Sequence, residues 1–326
     1  MLTNHGNISL PMAVWLAADD YDLGPRPNVI SATGLLKPLK CIVLSHRIQA
    51  ANLEADTDLL DLVASRMGTA IHTAVESAWL NNLEQALTAM GLPKRGRDMV
   101  RVNPELPVDP EYHNVHIELR IEREIDGYII SGQFDFVENG RVKDIKSTSV
   151  YAWIFNSSDD KFAWQGSIYK WLNPKLITDD KMDIEFLFTD WKAMEAVRDK
   201  AYPNNRIMTR TLTLKSSEEV ESFIRNKLQQ LKTYKDESES EIPRCTSEEL
   251  WQKPTTYAYY KKIDGVRATK LYEAHEHQNA MDRMALDGST GRIDTRPGKV
   301  KFCAYCPARP ICQQAENYIQ SGLLDV

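Results

Sequence analysis

Asp135 and Asp144 stand on either side of Asn139-Gly140 in the stretch SGQFDFVENGRVKDIKSTS. Asn-Gly flanked by alternating residues predicts a two-residue hairpin, because both central positions of a type I′ turn need positive φ. That loop pairs Glu138 with Arg141 and Val137 with Val142, and it brings Asp135 opposite Asp144. Side chains alternate with period two, so Asp135, Asp144 and Lys146 fall on one face and Phe134, Phe136 and Ile145 on the other, the core side. Directly opposed residues sit roughly 4.5–5.5 Å apart at Cβ, where like charges destabilise the pair. A divalent cation between the carboxylates removes that repulsion, and hard oxygen ligands suit Mg²⁺ or Mn²⁺. The Ile145 main-chain carbonyl is a natural further ligand. Lys146 could orient or deprotonate an attacking water, or offset charge on a pentacovalent phosphorus. The alternative is a solvated hairpin face that carries Asp, Asp and Lys by chance.

Five cysteines fall at positions 41, 245, 303, 306 and 312, three of them in KFCAYCPARPICQQAENY as Cys-x2-Cys-x5-Cys. An odd number in a chain without the basic-then-apolar layout of a signal peptide argues against a disulfide framework and for metal or iron–sulfur ligation. On the same ground a cytoplasmic location is expected, with the Asn7 and Asn156 sequons unglycosylated. No run of 18 apolar residues suggests a membrane span.

The 326 residues are 42 % apolar and 26 % charged, ordinary for a soluble globular protein, with a net charge of −6. A polyanionic ligand must therefore be held by a local basic groove. The periodicity predicts a helix near Leu35–Ile48 in a Pro-rich N-terminal segment. One long or two consecutive helices should then run from an Asp58 cap to a Gly91 stop. Alternation in VHIELRIEREI, YIISGQFDFVE and RVKDIKSTS predicts three antiparallel strands. A helix over DKFAWQGSIYKWLN ends at Pro174, MDIEFLFTDW reads as a fourth strand, and SSEEVESFIRNKLQQLKTYKD is an amphipathic helix capped by Ser216 or Ser217. The expected organisation is an irregular segment 1–50, an α/β core 51–238, and a cysteine-bearing segment 239–326 that an inorganic staple would help to hold.

Two short patterns flank the hairpin. His72 and Glu76 in GTAIHTAVE, and Gln165 and Tyr169 in QGSIYKW, are each one helical turn apart on one face. Taken in order, Gly68-x3-His72, Asp135, Asp144-Ile145-Lys146 and Gln165-x3-Tyr169 resemble the PD-(D/E)XK nuclease superfamily, specifically its RecB-like exonuclease branch. The resemblance covers roughly residues 65–190. It implies a restriction-endonuclease-like α/β (α+β) core, a central mixed sheet flanked by helices. It implies His72, Asp135 and Asp144 as metal ligands, Lys146 as the catalytic lysine, and Gln165 and Tyr169 as substrate-binding or organising residues. The second acid is Asp144 where many relatives have Glu. The implied reaction is Mg²⁺- or Mn²⁺-assisted hydrolysis of DNA phosphodiester bonds at ends or in single strands, with activity falling as His72 becomes protonated.

Nucleases related to AddB and to the CRISPR-associated exonucleases carry a similar C-terminal triplet and hold a [4Fe–4S] cluster, their fourth Cys lying upstream of the Gly-x3-His helix. That would select Cys41. The segment around PRCTSEELW also looks like bacteriophage-encoded members with a Cys in a Pro-x-Cys-Thr context. Cys245 is preferred as partner of Cys303, Cys306 and Cys312, since it lies in the same segment, and Cys41 is the alternative. Zn²⁺ is the rival occupant, disfavoured by the uneven spacing. LPKRGRDMVR (92–101), YAYYKK (257–262) and LSHR (44–47) could contact DNA, or could be solvated surface, whereas Trp153 and Trp164 should be core. Phage DNA recombination or repair is the setting the resemblance implies. With no Gly-x4-Gly-Lys-Ser/Thr loop, any helicase motor would come from a partner. A non-catalytic nucleic-acid-binding scaffold and a zinc-stapled structure-selective endonuclease are the competing readings.

Overall fold

The computed structural model of the chain describes residues 2–18, 26, 28–51 and 57–325. Its backbone divides into two compact units, Met1–Leu36 with Asp56–Gln229 and Lys37–Ala55 with Gln230–Val326. Sequence composition does not mark the transfer of residues 37–55 to the C-terminal unit. The reason lies in helix α1 (Leu39–Ala50), where Leu39, Cys41, Ile42, Val43, Leu44 and Ile48 are all buried. A helix apolar on most sides belongs inside a core. Arg47 donates to the carbonyl oxygens of Tyr234, Lys235 and Glu237 in the same unit.

In the first unit the chain runs through β1 (Val29–Ser31), α2 (Val63–Asn81), α3 (Leu83–Ala89), β2 (Val100–Val102), β3 (His113–Ile117), β4 (Arg120–Ile125), β5 (Tyr128–Gln133), β6 (Phe136–Glu138), β7 (Arg141–Thr148), α4 (Asp159–Leu172), β8 (Lys181–Phe188), β9 (Ile207–Thr213) and into α5 (Ser217–Tyr234). The central sheet is six-stranded and mixed, in the order β9-β8-β7-β6-β3-β2, and a smaller sheet has the order β1-β5-β4. Strands β7 and β8 are parallel, with Ile184 beside Asp144 and Phe186 beside Lys146. The helical connection through α4 supplies the crossover that parallel pairing requires. The fold is thus α/β with a mixed central sheet, as the sequence led us to expect.

Two of the three expected strands are each broken in two. VHIELRIEREI divides at Glu118, whose φ is 49°, and YIISGQFDFVE divides between Gln133 and Phe136. The cause is topological, since each stretch serves two sheets. β4 and β5 pair through a tight Asp126-Gly127 turn in the small sheet, while β3 and β6 pair in the large one. Strands β1, β2 and β9 had no alternation long enough to announce them. The helical expectations hold. Asp58 accepts from the Leu60 amide at 3.0 Å, two consecutive helices follow, and Gly91 closes the second with φ 80°. Ser216 and Glu219 exchange side-chain and backbone hydrogen bonds at the start of α5, a capping box.

Helix α4 packs tightly on one face of the sheets. A Cβ on Gly166 would come within 2.4 Å of Met182 Sδ, and one on Gly132 within 2.6 Å of Leu172 Cδ1. Beneath it the alternate residues Met182, Ile184, Phe186 and Phe188 of β8 are each at most 1 % exposed. Side chains of this size contribute about 1.5–3 kcal/mol each on burial. Trp153 stands edge-on to Phe186 and Phe188, and Trp164 lies against Phe223, but both are half-buried and sit at the margin of the core, not within it. Val75 and Trp79 of α2 pack, with Ile145 and Val102, against a separate cluster of Val115, Ile117 and Phe136.

The second unit contains β10 (Thr256–Tyr260), β11 (Lys270–Tyr272), α6 (His277–Leu286), β12 (Arg292–Arg296) and α7 (Gln313–Gln320), with the sheet order β11-β10-β12. Its described residues include two small apolar clusters, one around Tyr259, Tyr272 and Ala280, the other around Leu250, Val300, Cys303, Ala315 and Leu324. Among the described residues no helix is long and apolar enough to cross a membrane.

Candidate functional site

The Asn139-Gly140 turn forms with φ 48° and 84°, and its ladder joins Glu138 to Arg141, Val137 to Val142 and Phe136 to Lys143. The ladder stops one pair short of Asp135 and Asp144. Where the chain bends out of β5, Asp135 leaves the ladder and uses Oδ2 to accept from the Ile145 amide at 2.7 Å. Its Oδ1 lies 3.4 Å from His72 Nδ1 on α2. The expected grouping of Phe134 with Phe136 and Ile145 is corrected by the same bend. Phe136 and Ile145 share the α2 side, while Phe134 turns edge-on to Tyr169 of α4.

Asp144 is 1 % exposed. Its Oδ1 accepts from Gln165 Nε2 at 3.2 Å. Its Oδ2 forms an ion pair with Lys146 Nζ at 2.5 Å. The positive charge that the facing aspartates call for is thus supplied in part by the chain itself. Burial pushes the Asp144 carboxyl up, against Lys146, which works the other way. Burial likewise opposes the Lys146 charge, but Asp144 and Asp135 outweigh it and hold the ammonium above its ordinary range. Hydrogen bonding to Asp135 raises His72.

His72, Asp135, Asp144, Lys146, Ile145, Gln165 and Tyr169 are all brought to one place at the junction of β7, α2 and α4. The Ile145 carbonyl faces His72 Nε2 at 3.1 Å, so one of its lone pairs is engaged by the imidazole. Gln165 donates to both Asp144 and the Tyr169 hydroxyl, and both residues are buried, at 7 % and 5 % exposure. In this arrangement they organise Asp144 and present little surface to a substrate.

Sequence reasoning missed Glu118. Its Oε1 is 4.0 Å from His72 Nδ1, and one ligand atom each from His72, Glu118 and Asp135 lie within 4.8 Å of one another. Burial and, after it, Asp135 push the Glu118 carboxyl up to about 7 against the Gln133 hydrogen bond. The alternation of VHIEL puts Glu118 with His116, opposite Val115 and Ile117, so the pattern offers no signal that marks it out. The hard carboxylate oxygens of Glu118 and Asp135 beside one imidazole nitrogen make a donor set that fits Mg²⁺ or Mn²⁺.

In the second unit Cys41, Cys245, Cys303, Cys306 and Cys312 line one pocket with Lys40, Leu250, Phe302 and Gln314. The Cys306 thiol donates to Cys41 Sγ at 3.2 Å, which holds Cys41 below the ordinary thiol range and Cys306 above it. Burial pushes Cys245 up to about 12 and Cys303 to about 11. The free space between them is about 10 Å³, room for one water at most. Among the described residues no three thiols lie mutually within 4.8 Å, whereas one tetrahedral ion with bonds of about 2.3 Å holds all its sulfurs about 3.8 Å apart. The soft donor set suits an iron–sulfur cluster or Zn²⁺, and a cluster would require the turns that carry the thiols to open, since the pocket as it stands is too small for one.

The basic stretches are largely engaged internally. Lys94 pairs with Asp98, Arg97 with Glu84, and Arg101 lies over the Tyr112 ring. Arg47 binds backbone carbonyls, as described. Tyr259 and Tyr260 of YAYYKK are 0 % and 3 % exposed, so they are core residues and not a base-stacking platform.

No known family profile matches the chain, and a search of curated proteins finds no match. Solved structures that resemble it include SSO0001, at 15 % identity and TM-score 0.40, covering 67 % of this chain and 83 % of that one. They also include a phage-related exonuclease from Haemophilus somnus 129PT, at 14 % identity and TM-score 0.35, covering 66 % of this chain and 96 % of that one.

Proposed function

We propose that the chain is a Mg²⁺- or Mn²⁺-dependent deoxyribonuclease of the PD-(D/E)XK type that hydrolyses phosphodiester bonds at DNA ends or in single strands. The observation that supports this reading best is the convergence of His72, Asp135, Asp144 and Lys146, drawn from α2 and both arms of one hairpin, around a buried carboxylate. A bound divalent cation would polarise the scissile phosphate and activate water. The chain's own residues hold the site ready. Asp135 is fixed by the Ile145 amide, Asp144 by Gln165, and His72 by the Ile145 carbonyl. Lys146 places an ammonium beside Asp144, where it can offset charge that develops on a phosphate. The setting in phage DNA recombination or repair, and a helicase or recombination partner, follow from the resemblance alone.

A [4Fe–4S] cluster held by Cys303, Cys306, Cys312 and a fourth thiol belongs to the same reading, its role being to brace the second unit. Cys245 and Cys41 both line the pocket. The contact between Cys41 and Cys306 favours Cys41 as the fourth ligand, the reverse of the preference that sequence proximity gave.

The test is end-labelled linear DNA and circular single-stranded DNA incubated with anaerobically purified protein and Mn²⁺, beside Asp135→Ala. Cleavage of linear DNA by the parent, sparing of circles and no cleavage by the variant is the expected result. Cut circles would replace the exonuclease with an endonuclease. Inactivity of the parent on every substrate would move the assignment to a DNA-binding scaffold.

A further inference from the structure

We propose that Glu118, which lies outside the Asp-x-Lys hairpin, is itself a ligand of the divalent cation, acting with His72 and Asp135. This rests on the nuclease reading and adds a carboxylate to it. The argument begins with the imidazole. A carbonyl oxygen only accepts, so the 3.1 Å contact to Ile145 O places the His72 proton on Nε2. In the neutral ring Nδ1 is then a lone pair, and it points toward Asp135 Oδ1 at 3.4 Å and Glu118 Oε1 at 4.0 Å. With the ring neutral, three acceptors converge there; with it protonated, the Nδ1–H is the single donor that two carboxylates must share.

The chain leaves them in that state although it satisfies the other oxygen of each carboxylate. Asp135 Oδ2 takes the Ile145 amide. Glu118 Oε2 takes Gln133 Nε2 at 2.8 Å, and Arg120 donates to the opposite end of the same amide at 2.7 Å. Arg120 therefore fixes the Gln133 side chain that aims Glu118. The backbone adds a second tie, with the Glu118 amide donating to Asp135 O at 3.0 Å. The Glu118 side chain is only 11 % exposed, and the charged groups acting on it are Asp135, His72 and Glu76. Burying like charges around a lone pair is costly unless a cation joins them. Asp144, by contrast, already has Lys146 and Gln165, and it is not among the three groups that lie within 4.8 Å of one another.

Glu118→Gln keeps an oxygen acceptor for Gln133 and removes only the charge. Mn²⁺ binding to the metal-free protein is measured by isothermal titration and by the EPR signal of free Mn²⁺, with thermal melts run in chelator and in Mn²⁺. The expected result is Mn²⁺ affinity at least tenfold weaker than in the parent. In chelator the variant should melt higher than the parent because repulsion is relieved, and its Mn²⁺-induced rise should be smaller. Binding equal to that of the parent, with binding lost in Asp135→Asn, would overturn the role of Glu118 and leave the nuclease reading standing. A parent that binds no Mn²⁺ would overturn both.

Discussion

The carboxylate site and the cysteine pocket solve opposite problems. The first is assembled from α2, β7 and α4, elements locked by residues such as Ile184 and Phe186 at 0 % exposure, and most of its oxygens already have partners. The second is assembled from short turns and helix ends around a cluster of five buried residues, with thiols that burial keeps protonated. Ligands carried on a packed sheet are in position before any ion arrives, whereas ligands carried on turns gain their order from whatever they bind. Chemistry should therefore fail without unfolding at the first place, and folding should fail before chemistry at the second.

The strongest attack on that contrast is Asp144→Asn or Lys146→Ala. Hydrolysis should fall by on the order of 10²-fold or more while the melting temperature changes little. Lys146→Ala carries a stability risk, because it leaves Asp144 buried and unpaired. Asp144→Asn carries a smaller one, since Lys146, with its side chain 27 % exposed, can reach water, and activity retained in that variant would remove Asp144 from the site.

Cys303→Ser is the matching attack on the pocket. Iron content should be lost and the second unit should melt on the order of 10 °C lower, with residual hydrolysis by the molecules that remain folded. Comparing iron in Cys41→Ser and Cys245→Ser identifies the fourth thiol. Full iron in both would mean that four of these five cysteines are not the ligand set.

How much of this was legible in the sequence depends on range. The Asn139-Gly140 turn, the Asp58 cap and the Gly91 stop are local rules, and each is present. The break at Glu118 and the bend before Phe136 come from two sheets competing for one strand, which alternation along a single segment cannot reveal. Cys41 reaches Cys306 across 265 positions, so proximity in sequence pointed to Cys245. Gln165 and Tyr169 were found by spacing, but whether they face DNA or the core depended on how closely α4 sits, which Gly166 and Gly132 decide.

Gln165→Ala sharpens the first half of the comparison. It removes the donor to Asp144 Oδ1 and to the Tyr169 hydroxyl. If the residue organises the carboxylate, kcat should fall about tenfold with KM for DNA nearly unchanged, since the loss at Asp144 is one of the two hydrogen bonds, of about 1–1.5 kcal/mol. A rise in KM at constant kcat would instead make Gln165 a substrate contact.

Tyr259→Phe sharpens the second half with the smallest change. The Tyr259 ring is fully buried beside Tyr272 and Ala280, and its hydroxyl donates to Asp287 at 2.8 Å. Deleting that hydroxyl leaves the packing and strips Asp287 of a donor, although Arg283 still pairs with it. The expected cost is about 1 kcal/mol, read as a small fall in melting temperature with DNA affinity and iron content unchanged. That outcome would show the tyrosine cluster to be a separate apolar support in the second unit, independent of the thiols. If iron were lost as well, the two clusters would form one cooperative body, and the ordering of the cysteine turns would depend on the sheet as much as on their own ligand.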